Sequence, residues 1–177
     1  MPRVTPLTEA ALPDAVKPVF RALDGGYGQF GNQAAMLAHV PPALFHLGTM
    51  LTELKQRGAV KWRYIELAIV VVSRLNACDY CVAHHAPVLA VEGVSAAAIA
   101  SLPGTDHPEF DEADRAVIDY ARQVTETPGR IRDAMFARLR DHFTEGQIVE
   151  LTLRIGLCGF FNRFNDALQI ELEPALG

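Results

Sequence analysis

The side chains able to do chemistry are concentrated in one stretch: Glu66, Ser73, Asn76, Cys78, Tyr80, Cys81 and His85. Two of the chain's three cysteines form a Cys-x-x-Cys pair here, and an imidazole follows the second at the i+4 position. Wound as a helix at about 100° per residue, Cys78, Cys81 and His85 share one face. His84 lies more than about 100° from the centre of that face and is expected to point elsewhere, so spacing selects His85 as the imidazole partner. Helix N-termini, nearby imidazolium and Cys-x-x-Cys pairing all favour the thiolate, which is the nucleophilic form of cysteine. A thiolate can attack a peroxide O–O bond, leaving a sulfenic acid and releasing an alcohol or water. A second thiol one turn away can condense with that sulfenic acid to a disulfide, which an external reductant must reopen. The residues therefore read as an enzyme, a thiol-dependent peroxidase. Its partners are a small-molecule hydroperoxide, organic by its apolar surroundings, and an unidentified thiol or protein reductant. The chemistry asks for no cofactor and no metal.

The residues leave the attacking cysteine open. The helix dipole favours Cys78, nearest the positive end, and i to i+4 packing favours Cys81 beside His85. Glu66, from the preceding helix, could hold and relay a proton next to His85 or Cys78. Tyr80 reads either as packing or as a hydroxyl seeking a partner. Structural zinc on Cys78, Cys81 and His84 or His85 is the main rival, but it needs a fourth ligand. The only other cysteine, Cys158, lies in a late apolar segment and reads as a small buried hydrophobe. Two further readings are decarboxylation of a small acid by Glu66 and His85, and a non-catalytic redox-sensing module. His39, His46, His107 and His142 stand apart from other ligand types. Asn162 and Asn165 could bond backbone groups or a neighbouring subunit.

A chain of 177 residues with net charge −5 suits a single domain over residues 1–177. The acidic balance and dispersed arginines argue against a nucleic-acid surface. The longest strongly apolar run, Leu67 to Val72, is too short to cross a bilayer. Met1-Pro2-Arg3 opens no signal-like apolar region, so a cytoplasmic location is expected.

The elements read as an all-α fold of about eight helices. Pro13 to Leu23 is a short amphipathic helix stopped by Asp24-Gly25-Gly26. Asn32 is expected to cap the next helix, and another starts at Pro42 and stops at Gly58. Trp62 to Leu75 contains Ile69-Val70-Val71-Val72, which composition alone would allow as a strand. Segment length and the lack of a partner strand favour helix. Further helices follow over Cys78 to Glu92, from Ser95, over Asp111 to Thr125 and over Ile131 to Phe143. A last helix runs to about Leu172, opened by the capping-box pattern Thr144-x-x-Gln147. One internal echo stands out: Glu150, Asn162, Asn165 and Gln169 repeat the spacing of Glu66, Cys78, Cys81 and His85.

Glu66 followed by Val72-Ser73-x-x-Asn76-x-Cys78-x-Tyr80-Cys81-x-x-x-His85 resembles the signature of the carboxymuconolactone decarboxylase superfamily, and within it the AhpD-like alkylhydroperoxidase branch. The resemblance implies an all-helical fold assembling as trimers or hexamers. It also implies Cys81 as the peroxide-attacking cysteine, Cys78 as the resolving one, His85 activating Cys81, and Glu66 connected to Cys78. One departure is Tyr80, which stands where characterised alkylhydroperoxidases carry a histidine and is a poor base at neutral pH. Decarboxylase members lack the paired thiols.

Overall fold

The computed structural model describes residues 1–174 and 176. Among them the chain is all-α, with nine α-helices and no strand. No helix of the described residues is long and apolar enough to cross a membrane. The backbone gathers into two compact units: Met1–Ala59 with the segment from Phe164 onward, and Val60–Arg163.

The first unit holds α1 (Lys17–Arg21), α2 (Gly31–Leu37) and α3 (Pro41–Arg57). The expected stop at Asp24-Gly25-Gly26 is instead a wide π-helical turn over Ala22–Tyr27, which continues α1. Asn32 does not cap α2, which begins one residue earlier. Its backbone N–H donates to Glu173 Oε1 at 2.9 Å and its side chain to the carbonyl of Glu171. Pro41 and Pro42 occupy the first turn of α3, and Gly58 ends it at φ 58°, a left-handed conformation that glycine adopts without steric penalty.

The second unit is built around α4 (Trp62–Leu75), with α5 (Asp79–Val91), α6 (Ala96–Ser101), α7 (Glu112–Glu126) and α8 (Asp133–Arg140). The helix α9 (Glu145–Leu168) runs through it and on into the first unit's segment. Every residue of α4 from Ile65 to Ser73 is buried. The β-branched run Ile69–Val72 is thus helix, and it is apolar on all sides because α4 is covered on all sides, mainly by α5 and α7. Local capping chemistry fixes the ends. Ser95 Oγ accepts from the Ala98 N–H, Asp111 and Asp114 form a capping box at α7, and Thr144 and Gln147 form another ahead of α9. Gln169, at φ 52°, ends α9 at Leu168, short of the expected Leu172. Helix α5 carries Pro87 in its interior, so the Ala83 carbonyl lacks its usual amide donor.

Candidate active site

The site forms where α4 hands over to α5. Helix α4 ends with the Ala77 N–H on the Arg74 carbonyl at 3.1 Å and the Cys78 N–H on the Ser73 carbonyl at 2.9 Å. That closure needs a left-handed residue at its hinge, a place usually taken by glycine. Here it is Ala77, at φ 55°, a conformation that costs a residue with a Cβ about 1–2 kcal/mol. The turn delivers Cys78 as the N-cap of α5 (φ −89°, ψ 95°), one position ahead of the helix. Cys81 follows in the first turn, so both thiols sit at the positive end of α5.

Cys78 and Cys81 are free thiols whose Sγ atoms lie 3.0 Å apart. Cys78 is fully buried and Cys81 is 4% exposed. Glu66, buried on α4, places Oε2 2.8 Å from Nδ1 of His85. An ionised carboxylate only accepts, so this contact puts the ring proton on Nδ1 and leaves Nε2 as the basic nitrogen. Glu66 thus has a direct partner in His85. The other imidazole, His84, is buried with Nδ1 2.7 Å from the Tyr80 carbonyl, its ring 4.2 Å from the Tyr80 ring. The Tyr80 and His84 rings are in tilted contact.

A polar cluster that sequence reading did not connect to the motif lies behind the turn. Asn162 on α9 is wholly buried. Its Oδ1 accepts from Asn76 Nδ2 at 2.8 Å, and its Nδ2 donates to Ser73 Oγ at 3.3 Å. Cys158, one helical turn earlier on α9, lies 3.3 Å from Ser73 Oγ. Burial pushes the Cys158 thiol up to about 12, against the smaller lowering effect of its bonds to Ser73 and Asn162. Asn165 belongs elsewhere, its Oδ1 accepting from Gln33 in the first unit. The sequence signal for Cys158 and Asn162 was their i, i+4 spacing on one helix face; nothing local joins them to Ser73 and Asn76.

The internal echo is not a structural repeat. Glu66 to His85 is broken by the turn at residues 76–78, whereas Glu150 to Leu168 is one uninterrupted helix. Glu150 faces Arg154 at 3.5 Å, and the Arg154 guanidinium lies over Trp62. Among the described residues no group of three or more His, Cys, Asp or Glu side chains is arranged to hold a metal ion. A cleft of about 210 Å³ lies beside the turn, lined by Asn76, Val72, Ile155, Gly159 and Arg163 among others.

Comparison with known proteins agrees with this architecture. The carboxymuconolactone decarboxylase family matches residues 40–123, just under half of the sequence and including the whole α4–turn–α5 motif of this chain. Its fold is the AhpD-like fold: a peroxidase-related protein of Ralstonia eutropha, described as an alkylhydroperoxidase AhpD core, superposes with a TM-score of 0.82 at 23% identity, covering 99% of this chain and 94% of that one. The debrominase Bmp8, as a cysteine-to-alanine variant in complex with 2,3,4-tribromopyrrole, superposes with a TM-score of 0.81 at 21% identity, covering 97% of this chain and 92% of that one. The uncharacterized protein YnjA of Escherichia coli is 30% identical over 103 residues, a match covering 58% of this chain and 57% of the length of YnjA.

Proposed function

We propose that the protein is a thiol peroxidase that reduces an organic hydroperoxide through a Cys78–Cys81 dithiol cycle. The family and fold support an enzyme of the peroxidase-related or decarboxylase-like kind. The observation that favours the first is the pair of sulfurs facing each other at 3.0 Å, on the same element as an imidazole held by a buried carboxylate. Cys81 is the attacking residue, because it alone of the pair retains some exposure and stands one turn from His85. His85 Nε2 takes the Cys81 proton while Glu66 steadies the imidazolium through Nδ1. The thiolate attacks one peroxide oxygen, the O–O bond breaks, and the departing alkoxide leaves as the alcohol after taking a proton from His85. The Cys78 thiol then displaces hydroxide from the Cys81 sulfenic acid, giving water and the disulfide. A dithiol reductant, supplied by a reducing cytoplasm, returns both cysteines to thiols.

Cumene hydroperoxide consumption in the presence of dithiothreitol tests this. Cys81→Ser is expected to abolish turnover. Cys78→Ser, oxidised without added thiol, is expected to stop after one equivalent of peroxide, with a dimedone adduct on Cys81. Equal turnover in the wild type and both variants overturns the reading.

The superposed debrominase suggests a second electrophile for the same thiol pair. Two thiols supply two electrons, so a carbon–bromine bond could become carbon–hydrogen with release of bromide as the disulfide forms. Bromide release from tribromopyrrole in the same assay, without consumption of cumene hydroperoxide, would favour this reading over the first.

A further inference from the structure

We infer that Asn162 is a positioning residue for the dithiol: it clamps the strained turn that holds Cys78 against Cys81, and so sets how readily the disulfide closes. The inference rests on the thiol reading above and adds a residue outside the motif. Three observations carry it. The first is the conformation of Ala77, whose left-handed backbone (φ 55°) is disfavoured for alanine and persists only where its surroundings hold it. The second is connectivity. Asn76 precedes Ala77 and donates its side-chain amide to Asn162 Oδ1 at 2.8 Å. Ser73, whose carbonyl receives the Cys78 N–H at 2.9 Å, receives Asn162 Nδ2 on its hydroxyl at 3.3 Å. One side chain on α9 therefore holds the α4 side of the hinge at two points, one of them the residue whose carbonyl receives the Cys78 N–H. The third is burial. Asn162 and Ser73 are both wholly buried, so water cannot readily replace the bond between them if the asparagine is removed.

The consequence falls on Cys78 more than on Cys81, because Cys81 lies inside α5 and is held by the helix itself. When the clamp is lost, the hinge can leave the left-handed region and Cys78 Sγ departs from its partner. The attack of Cys81 on an electrophile is then retained, while the local concentration of the Cys78 thiol around Cys81 falls. No oxidant beyond the hydroperoxide, or oxidised glutathione in the test, is needed.

The test is a redox titration of the full chain in glutathione buffers, with the Cys78–Cys81 disulfide read by alkylation and mass spectrometry. Asn162→Ala is expected to lower the disulfide formation constant about tenfold, equivalent to about 30 mV for a two-electron couple. With one equivalent of peroxide it is also expected to leave a longer-lived, dimedone-trappable sulfenic acid on Cys81. Ile148→Ala, a buried truncation on the same helix away from the turn, is expected to lower thermal stability without moving the formation constant. Ala77→Gly supplies the sharper control. Relieving the hinge makes the clamp less necessary, so Asn162→Ala is expected to cost less in the Ala77→Gly background than in the wild type. Should Asn162→Ala fail to fold, Asn76→Ala breaks the 2.8 Å bond from a half-buried position and is expected to show the same shift. An unchanged formation constant in the folded variant overturns the inference while leaving the thiol reading intact. A wild type that forms no Cys78–Cys81 disulfide overturns the thiol reading and this inference with it.

Discussion

The three cysteines of this chain have three different surroundings, and these predict three different reactivities. Cys158 is the inert one. Its thiol is raised to about 12 by burial, so it stays protonated and is expected to resist iodoacetamide in the folded protein at pH 8 to 9, becoming labelled only on denaturation. The same shift bears on stability. Above the ordinary cysteine value of about 8.5 the unfolded chain loses the Cys158 proton and the folded chain keeps it, so the unfolded state binds fewer protons and stability falls as pH rises. The window runs from about 8.5 to about 12, and urea midpoints measured across it are expected to decline less in Cys158→Ala than in the wild type. Parallel declines would remove this thiol as the cause. For the reactive pair, His85→Ala is expected to slow Cys81 oxidation by about 10²–10⁴, the usual contribution of a positioned base, with Cys78–Cys81 closure still measurable. Stopped-flow oxidation with cumene hydroperoxide checks this, and a rate within twofold of wild type removes His85 from the mechanism. The motif residues were legible because their chemistry is local, within the span from Glu66 to His85. Asn162 was not, since its meaning lies in Asn76, 86 positions away.

At the scale of elements, the readable features were those whose partners are near in sequence. The caps at Ser95 and Thr144 bond within their own first turns, and Gly58 and Gly93 end their helices with positive φ. Two signals misled. The Asp24-Gly25-Gly26 stop was overridden by a wide turn, and Asn32 bonds Glu173 and Glu171 far along the chain instead of capping α2. For Asn32, bonds to a distant segment took the place of a local cap. The most consequential element boundary is the α4–α5 hinge, where alanine occupies a left-handed position. Ala77→Gly would relieve about 1–2 kcal/mol of steric strain and lose about 0.5–1 kcal/mol to the freer unfolded chain. The net expectation is a stabilisation of about 0.5–1 kcal/mol, visible as a higher urea midpoint at unchanged slope. A lower midpoint would mean that the hinge is not the strained point of this turn.

At the scale of the molecule, the question is what covers α9. Val149, Leu153 and Phe160 are 67%, 40% and 44% exposed, and at about 100° per residue they fall within about 40° of one another on that helix. Single exposed apolar residues are ordinary; a stripe of them marks a surface that associates. If the chain assembles as trimers or hexamers, as the family resemblance implies, this stripe offers an apolar face for the contact. Burying each such side chain fully would contribute about 1.5–3 kcal/mol, whereas a carboxylate in its place would have to be desolvated without a partner. Leu153→Glu is therefore expected to weaken assembly by at least about tenfold, the equivalent of about 1.4 kcal/mol, and to shift the light-scattering mass towards the monomer. Cys78 and Cys81 lie on other elements, so the variant should still close their disulfide in glutathione buffer. A wild type that scatters as a monomer at micromolar concentration would leave the stripe without this role. An oligomer unaffected by Leu153→Glu would place the contact on another face of the chain.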